Sequence, residues 1–198
     1  MTPTPSLGEF SLQIPGAFNV SNALAAIATT HEMGIHPHII AEALGNFPGI
    51  WRRFEIVGTL EGATIISDYA HHPDGVRVTL EAAANFYFGK RILTVFQPHQ
   101  HNRTKKLFLE FVKVFCESPI QDIIVAEIFD VAGREAISDQ DISSQDLARE
   151  IKKRGKNIEY AKDLQTCEDA IRKVAKDYDV IIIMGAGDIY RVANNLIK

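Results

Sequence analysis

The chain has 198 residues, 46% of them hydrophobic and 23% charged, with a formal net charge of −4. That is the balance of one globular domain or a little more, and it lacks the basic stripe of a nucleic-acid-binding surface. No apolar run reaches membrane length, Met1 to Pro5 hold no signal-peptide core, and Cys116 and Cys167 stand too far apart for metal-ligand spacing, so free thiols in a reducing cytoplasm are expected.

The first seven residues are rich in Pro and Thr and predict loose order. Residues 9–14 alternate polar and apolar side chains, which predicts a strand, and Pro15-Gly16 ends it. An Ala-rich helix follows to about Met33, with Asn19 as its expected cap and Gly34 as its stop. A second helix is expected from Pro37 to Leu44, since proline suits a first helical position. Asn46-Phe47-Pro48-Gly49 then breaks the chain, and a domain boundary is expected near residue 50.

Beyond it the pattern changes. Residues 54–60 and 63–67 read as two strands of an antiparallel hairpin, joined by Glu61-Gly62. Pro73 opens a helix to about Tyr87. Residues 91–96 form a short apolar strand, and a helix with an apolar stripe of Leu107, Phe108, Phe111, Val112 and Phe115 begins at Asn102 or Thr104. Residues 122–126 are another strand, followed by a long polar loop to about Ser143; loops of that length are usually functional or mobile. Further helices are expected over 143–153 and 164–176, with a strand over 158–161 between them. Val180 to Met184 is wholly apolar, the signature of a strand buried on both faces. Gly185-Ala186-Gly187-Asp188 turns the chain into a last helix. The alternation from residue 63 onward implies a Rossmann-like, doubly wound α/β fold. Its sheet would be mostly parallel with one antiparallel hairpin strand, preceded by a short β-α-α segment.

Open α/β sheets place ligands at the carboxyl ends of their strands. Three expected strand ends carry polar chemistry: residues 68–73, 97–104 and 185–188. The first two hold four of the seven histidines. His71-His72 and His99-x-His101 allow a zinc site in principle, but adjacent histidines point apart and no carboxylate stands at ligand spacing. Hydrogen bonding to loop backbone, or binding of an anionic or polar substrate, are the other readings. Asp68 ends an apolar strand where a carboxylate suits ribose hydroxyls. Gly185-x-Gly187 is either a tight turn or a cradle of N–H groups for an anion. Arg52-Arg53 becomes a phosphate clamp if Arg53 faces the cleft. Capping accounts for Asn19 and leaves Asn22, one turn later, unexplained.

Taken together, Asp68-Tyr69-Ala70-His71-His72-Pro73, Phe96-Gln97-Pro98-His99 with Arg103-Thr104, Arg52-Arg53-Phe54, Gly185-Ala186-Gly187-Asp188 and the helix start Asn19-x-x-Asn22-Ala23-Leu24-Ala25-Ala26 resemble the Mur ligase family, at the branch that joins L-alanine to UDP-N-acetylmuramate in peptidoglycan synthesis. The resemblance covers nearly the whole chain. It implies that residues 1–50 are the end of a central ATPase domain and residues 51–198 the C-terminal Rossmann-like domain. The family's Gly-x-x-Gly-Lys-Thr/Ser loop, its Mg²⁺-ligating Glu and His and its carbamylated Lys do not occur in this sequence. The expectation is therefore a portion that binds substrate and nucleotide, is inactive alone, and works with N-terminal and central domains outside it.

Position by position, the resemblance implies that Asn19 and Asn22 contact adenine, Arg53 reaches the ribose or phosphates, Asp68 accepts the ribose hydroxyls, and Gly185 and Gly187 lie against the nucleotide. Tyr69, His71, His99 and Arg103 would line the site for the incoming amino acid, with Arg103 and His99 closest to the chemistry. In that chemistry ATP, with Mg²⁺, converts the sugar-nucleotide carboxylate to an acyl phosphate, which the amine of alanine attacks. A guanidinium at Arg103 would grip the alanine carboxylate with two parallel hydrogen bonds and fix the amine for attack. Two further readings from other classes are a non-catalytic nucleotide or amino-acid binding module and a small metal-dependent hydrolase.

Overall fold

The computed structural model describes residues 6–130 and 141–198. The chain divides into two compact units, Met1–Ile50 and Trp51–Lys198.

In the first unit, helices α1 (Ala17–Glu32) and α2 (Pro37–Gly45) are the regular elements among the described residues. Gly34, at φ +84°, lets the chain leave α1. His36 caps α2, its Nδ1 accepting from the His38 N–H at 3.4 Å, with Pro37 at the first position. Two expectations fail here. Residues 9–14 form no strand, because a strand needs a neighbour for its N–H and C=O groups and this unit offers none among its described residues. Asn19 is not the cap of α1. The cap position is Gly16, and Asn19 lies inside the helix, its Nδ2 donating to the Pro15 carbonyl at 2.7 Å.

The second unit is a six-stranded sheet of order β1-β2-β6-β3-β4-β5. Its strands are β1 (Glu55–Leu60), β2 (Ala63–Asp68), β3 (Ile92–Phe96), β4 (Asp122–Ala126), β5 (Asn157–Ala161) and β6 (Val180–Met184). Only β1 runs antiparallel. Its hairpin turn puts both Glu61 and Gly62 at positive φ, the requirement of a two-residue turn that follows the sheet's twist. The all-apolar β6 lies between β2 and β3, and all five of its residues are buried.

Helices α3 (Pro73–Phe86), α4 (His101–Lys106), α5 (Phe108–Glu117), α6 (Ser144–Lys153), α7 (Leu164–Val174) and α8 (Tyr190–Leu196) connect the strands. Strand residues alternate between two cores, as the two-residue period of a strand requires. Ile66, Phe96, Ile182 and Met184 join Val76, Leu80, Phe111, Phe115, Leu147 and Ile151 from α3, α5 and α6. Ile65, Val95, Ile181 and Ile183 join Cys167, Ile171, Val192 and Leu196 from α7 and α8 on the other face. The helix expected after residue 102 is broken at Leu107. There α4 buries only Thr104, whereas α5 carries the core stripe Phe111, Val112 and Phe115, and the break lets each follow its own surface. The middle of the long loop, residues 131–140, lies outside the described residues.

Cys116 and Cys167 are free thiols, and burial pushes Cys167 up to about 12. Among the described residues no helix is long and apolar enough to cross a membrane.

Candidate functional site at the carboxyl edge of the sheet

The ends of β2, β6, β3 and β4 lie side by side, so the loops that leave them meet at one edge. Their bases are held by buried polar groups. Asp68, 5% exposed, takes the Phe54 N–H on Oδ2 at 2.8 Å, and the Ala70 N–H and Thr79 hydroxyl on Oδ1 at 2.7 and 3.3 Å. Burial raises its pKa, opposed by those donors and by Arg53. Its carboxylate therefore ties the Arg52–Phe54 turn to the end of β2. Arg52 and Phe54 both have positive φ, a costly conformation for non-glycine residues that persists where the surroundings over-determine it.

Arg52 is 4% exposed, and its guanidinium donates to the carbonyls of Gly185 and Gly187. It also lies over the rings of Tyr69 and Tyr190, 4.8 and 4.7 Å from their centroids. Burial lowers its pKa, while both tyrosines and Asp68 oppose the shift.

The Gly185–Gly187 turn is a packing device. The Gly185 N–H donates to the Asp68 carbonyl at 3.1 Å. A Cβ on Gly187 would sit 2.4 Å from Phe129 Cγ and 2.6 Å from Gln97 Oε1. Of the two readings of this stretch, the tight turn describes its packing: the Gly185 N–H is spent internally and two carbonyls turn toward Arg52. Buried Gln97 completes it, accepting from the Ile189 N–H and donating to Asp188, both at 3.1 Å.

Above this frame stand exposed Arg53 and the half-buried side chains of Tyr69, His71, His99 and Arg103. Arg53 lies over the Tyr69 ring at 5.3 Å, on which Arg52 also bears. Tyr69 meets His71 edge-on at 5.3 Å, and His71 lies 5.8 Å from His99 between ring centres. His71 Nδ1 is 2.9 Å from the Tyr69 carbonyl. A carbonyl only accepts, so Nδ1 carries the proton and Nε2 a lone pair. Burial lowers the His71 pKa, and the nearby Arg103 and Arg53 lower it further, which favours this neutral form. Arg103 points Nη1 at His99 Nδ1, 3.4 Å away; an arginine only donates, so His99 Nδ1 is the acceptor. His99 stacks on Phe129 at 5.4 Å.

The edge thus gathers Arg53, Tyr69, His71, His99 and Arg103 around the buried Asp68. It does not gather the four histidines as metal ligands. His72 caps α3, and His101 Nδ1 reaches the Ile142 carbonyl at 2.9 Å. Among the described residues no group of three or more His, Cys, Asp or Glu could hold a metal ion. Asn19 and Asn22 belong to the first unit, where Asn22 Nδ2 is 3.4 Å from Asn19 Oδ1.

Two residues of this frame, Phe129 and Glu127, were not singled out in sequence, and Gln97 was quoted there only within a motif, without a role. Phe129 acts by shape, filling the space over Gly187. Glu127 accepts from the N–H groups of Ile128 and Ser144, at 2.7 and 3.2 Å, and from the Tyr160 hydroxyl at 2.5 Å, so it pins both ends of the loop that carries Phe129. Nothing in the sequence marks it, since two of its three partners lie 17 and 33 residues away.

Residues 52–187 match the family model described as Mur ligase, glutamate ligase domain. The chain belongs to the Mur ligase family. Over 192 residues it is 40% identical to the UDP-N-acetylmuramate–L-alanine ligase of Caldanaerobacter subterraneus subsp. tengcongensis, a match covering 97% of this chain and 40% of that protein. With the UDP-N-acetylmuramate–L-alanine ligase of Lachnospira eligens it shares 44% identity over 188 residues, covering 95% of this chain and 40% of the relative. The crystal structure of the UDP-N-acetylmuramate-alanine ligase of Thermotoga maritima superposes with a TM-score of 0.78 at 29% identity, over 96% of this chain and 39% of that one. This Mur ligase chain therefore spans about 40% of the length of the curated relatives it matches. Its six-stranded, mostly parallel sheet with one antiparallel strand is the architecture shared with the Thermotoga structure.

Proposed function

We propose that this chain is the amino-acid- and nucleotide-binding portion of an ATP-dependent ligase that joins L-alanine to UDP-N-acetylmuramate. The observation that carries the reading is the convergence of Arg53, Tyr69, His71, His99 and Arg103 at one strand edge. Two cations and a neutral imidazole suit an amino acid that brings a carboxylate and an amine. Arg103 would hold the carboxylate, with His99 accepting from the guanidinium and keeping it oriented. His71 Nε2, bearing a lone pair, would accept a hydrogen bond from the amine and take up the proton that the amine gives up as it attacks. Arg53 would face the ribose or phosphates, and Asp68 would fix the turn that presents it as well as meeting the ribose. Asn19 and Asn22 would meet the adenine, and residues 1–50 would be the end of the central ATPase domain. ATP supplies the activation of the sugar-nucleotide carboxylate. Its phosphates and Mg²⁺ would be held by residues outside this chain, in the cytoplasm where these substrates occur.

The test has two parts. L-Alanine should shift the imidazole and guanidinium NMR signals of His71, His99 and Arg103. L-Alaninamide, which lacks the carboxylate, should not, and Arg103→Ala should remove the response. Equal responses to the two amino compounds would sink the assignment. The chain alone, given ATP, UDP-N-acetylmuramate and L-alanine, should form no amide; turnover would show that it needs no other domain.

A further inference from the structure

The edge carries one aromatic feature that the amino-acid site does not use. Trp51 is 64% exposed although it adjoins Arg52, which is 4% exposed. The Arg52 guanidinium lies over the Trp51 ring, 5.4 Å from its centroid. Tyr190, at the start of α8, meets the indole edge-on at 5.4 Å and 75°, and the same guanidinium lies 4.7 Å from its centroid. Arg52 is itself held by the carbonyls of Gly185 and Gly187. The indole is therefore braced from one side by a fixed cation and at its rim by a half-buried phenol. Next in the chain, Arg53 is exposed and leans over Tyr69.

We propose that Trp51 and Tyr190 form a stacking ledge for a purine base. The indole is held by a cation and a second ring yet stays 64% exposed, which leaves ring surface for a flat ligand to cover. Aromatic faces bind bases through dispersion and burial, in proportion to ring area, and with little regard to hydrogen-bonding pattern. A purine covers more of an indole than a pyrimidine does. The charge nearby agrees: exposed Arg53, two residues along the chain, is a cation available to the ribose phosphate of a stacked nucleotide. The inference rests on the reading of this edge as a nucleotide site, and adds to it the residues that take the base within the second unit.

Trp51 is the only tryptophan of the chain, so its fluorescence reports this position without background. The 198-residue chain is titrated with adenosine 5′-monophosphate, uridine 5′-monophosphate and ribose 5-phosphate up to ~10 mM, enough for a weak single-site ligand. Emission is excited at the red edge of the indole band, where adenine is transparent. The adenine nucleotide should quench saturably, the uracil nucleotide more weakly, and ribose 5-phosphate not at all. Tyr190→Leu should weaken the adenine response about fivefold or more, the least that loss of one stacking contact implies, while Tyr190→Phe keeps it. Arginine and imidazole NMR signals, followed in the same titrations, separate the two readings. If ribose 5-phosphate and the adenine nucleotide move those signals while indole emission stays constant, the ledge is overturned and the nucleotide site stands. If nothing responds at the highest concentration, both fall. Equal quenching by the two nucleotides overturns the purine preference and with it the ledge.

Discussion

The two units of this chain differ in what their helices rest on. In the second unit, α3, α5 and α6 cover one face of the sheet and α7 and α8 the other, and their apolar stripes are buried. In the first, α1 and α2 bury only Ile27 and Ile40, while Phe18, Val20, Leu24, Met33 and Ile39 stay exposed. Both sets of helices have ordinary propensity and proper stops. The difference shows that helix formation and helix burial are separate achievements: the first is local, and the second needs a partner surface.

Core truncation gives the sharpest contrast. Phe111→Ala removes a side chain that is 1% exposed and packs on Phe96; a loss of about 3–5 kcal/mol is expected. Ile27→Ala, on a helix whose other described apolar side chains are largely exposed, should cost less than half of that, because its surroundings can close up. Urea unfolding of both variants measures the difference, and equal losses would mean that the first unit is as tightly packed as the second.

The bracket around the site loop comes next. Tyr160→Phe removes the hydroxyl that donates to Glu127 at 2.5 Å and should cost about 1–2 kcal/mol at neutral pH, the range of a hydrogen bond to a partly exposed charged acceptor. Burial, then the Glu127 hydrogen bond and charge, push the Tyr160 pKa from 10.0 up to about 12. A raised native pKa means that the contribution is fully present below the unfolded value and is lost as pH rises through the native one. The gap between the parent chain and the variant should therefore be constant below pH 10 and close as pH climbs toward 12. A gap unchanged across that window would show that the phenol is not tied to Glu127.

The smallest effect separates a true cap from an expected one. Ser143 accepts from the Asp146 N–H while Asp146 reaches back to the Ser143 N–H, a reciprocal cap on α6. Ser143→Ala should cost about 1 kcal/mol. Asn19→Ala should cost a few tenths, since Asn19 lies inside α1 and bonds only the Pro15 carbonyl and its neighbour Asn22. Thermal unfolding of the two variants checks the ranking, and a larger loss at Asn19 would restore it as the stabilising start of the first helix.

The sequence by itself determined most elements of the second unit, because their signals are local; the break at Leu107 that divides one expected helix into α4 and α5 was not among them. The two-residue alternation, the all-apolar run at 180–184, the Glu61-Gly62 turn and the proline at position 73 act within a few residues of themselves. It also supplied the polar strand ends, since the carboxyl edge of a parallel sheet follows from connectivity. What the tertiary structure decided were relations between distant residues. Asp68 holds the Phe54 N–H, Arg52 takes the Gly185 and Gly187 carbonyls 133 and 135 residues away, and Phe129 fills the space over Gly187. These follow from strand order, which places β6 between β2 and β3, and no local pattern encodes that order. For the same reason the strand expected at residues 9–14 failed. Its alternation was legible, but a strand exists only beside another, and the described part of its unit contains none.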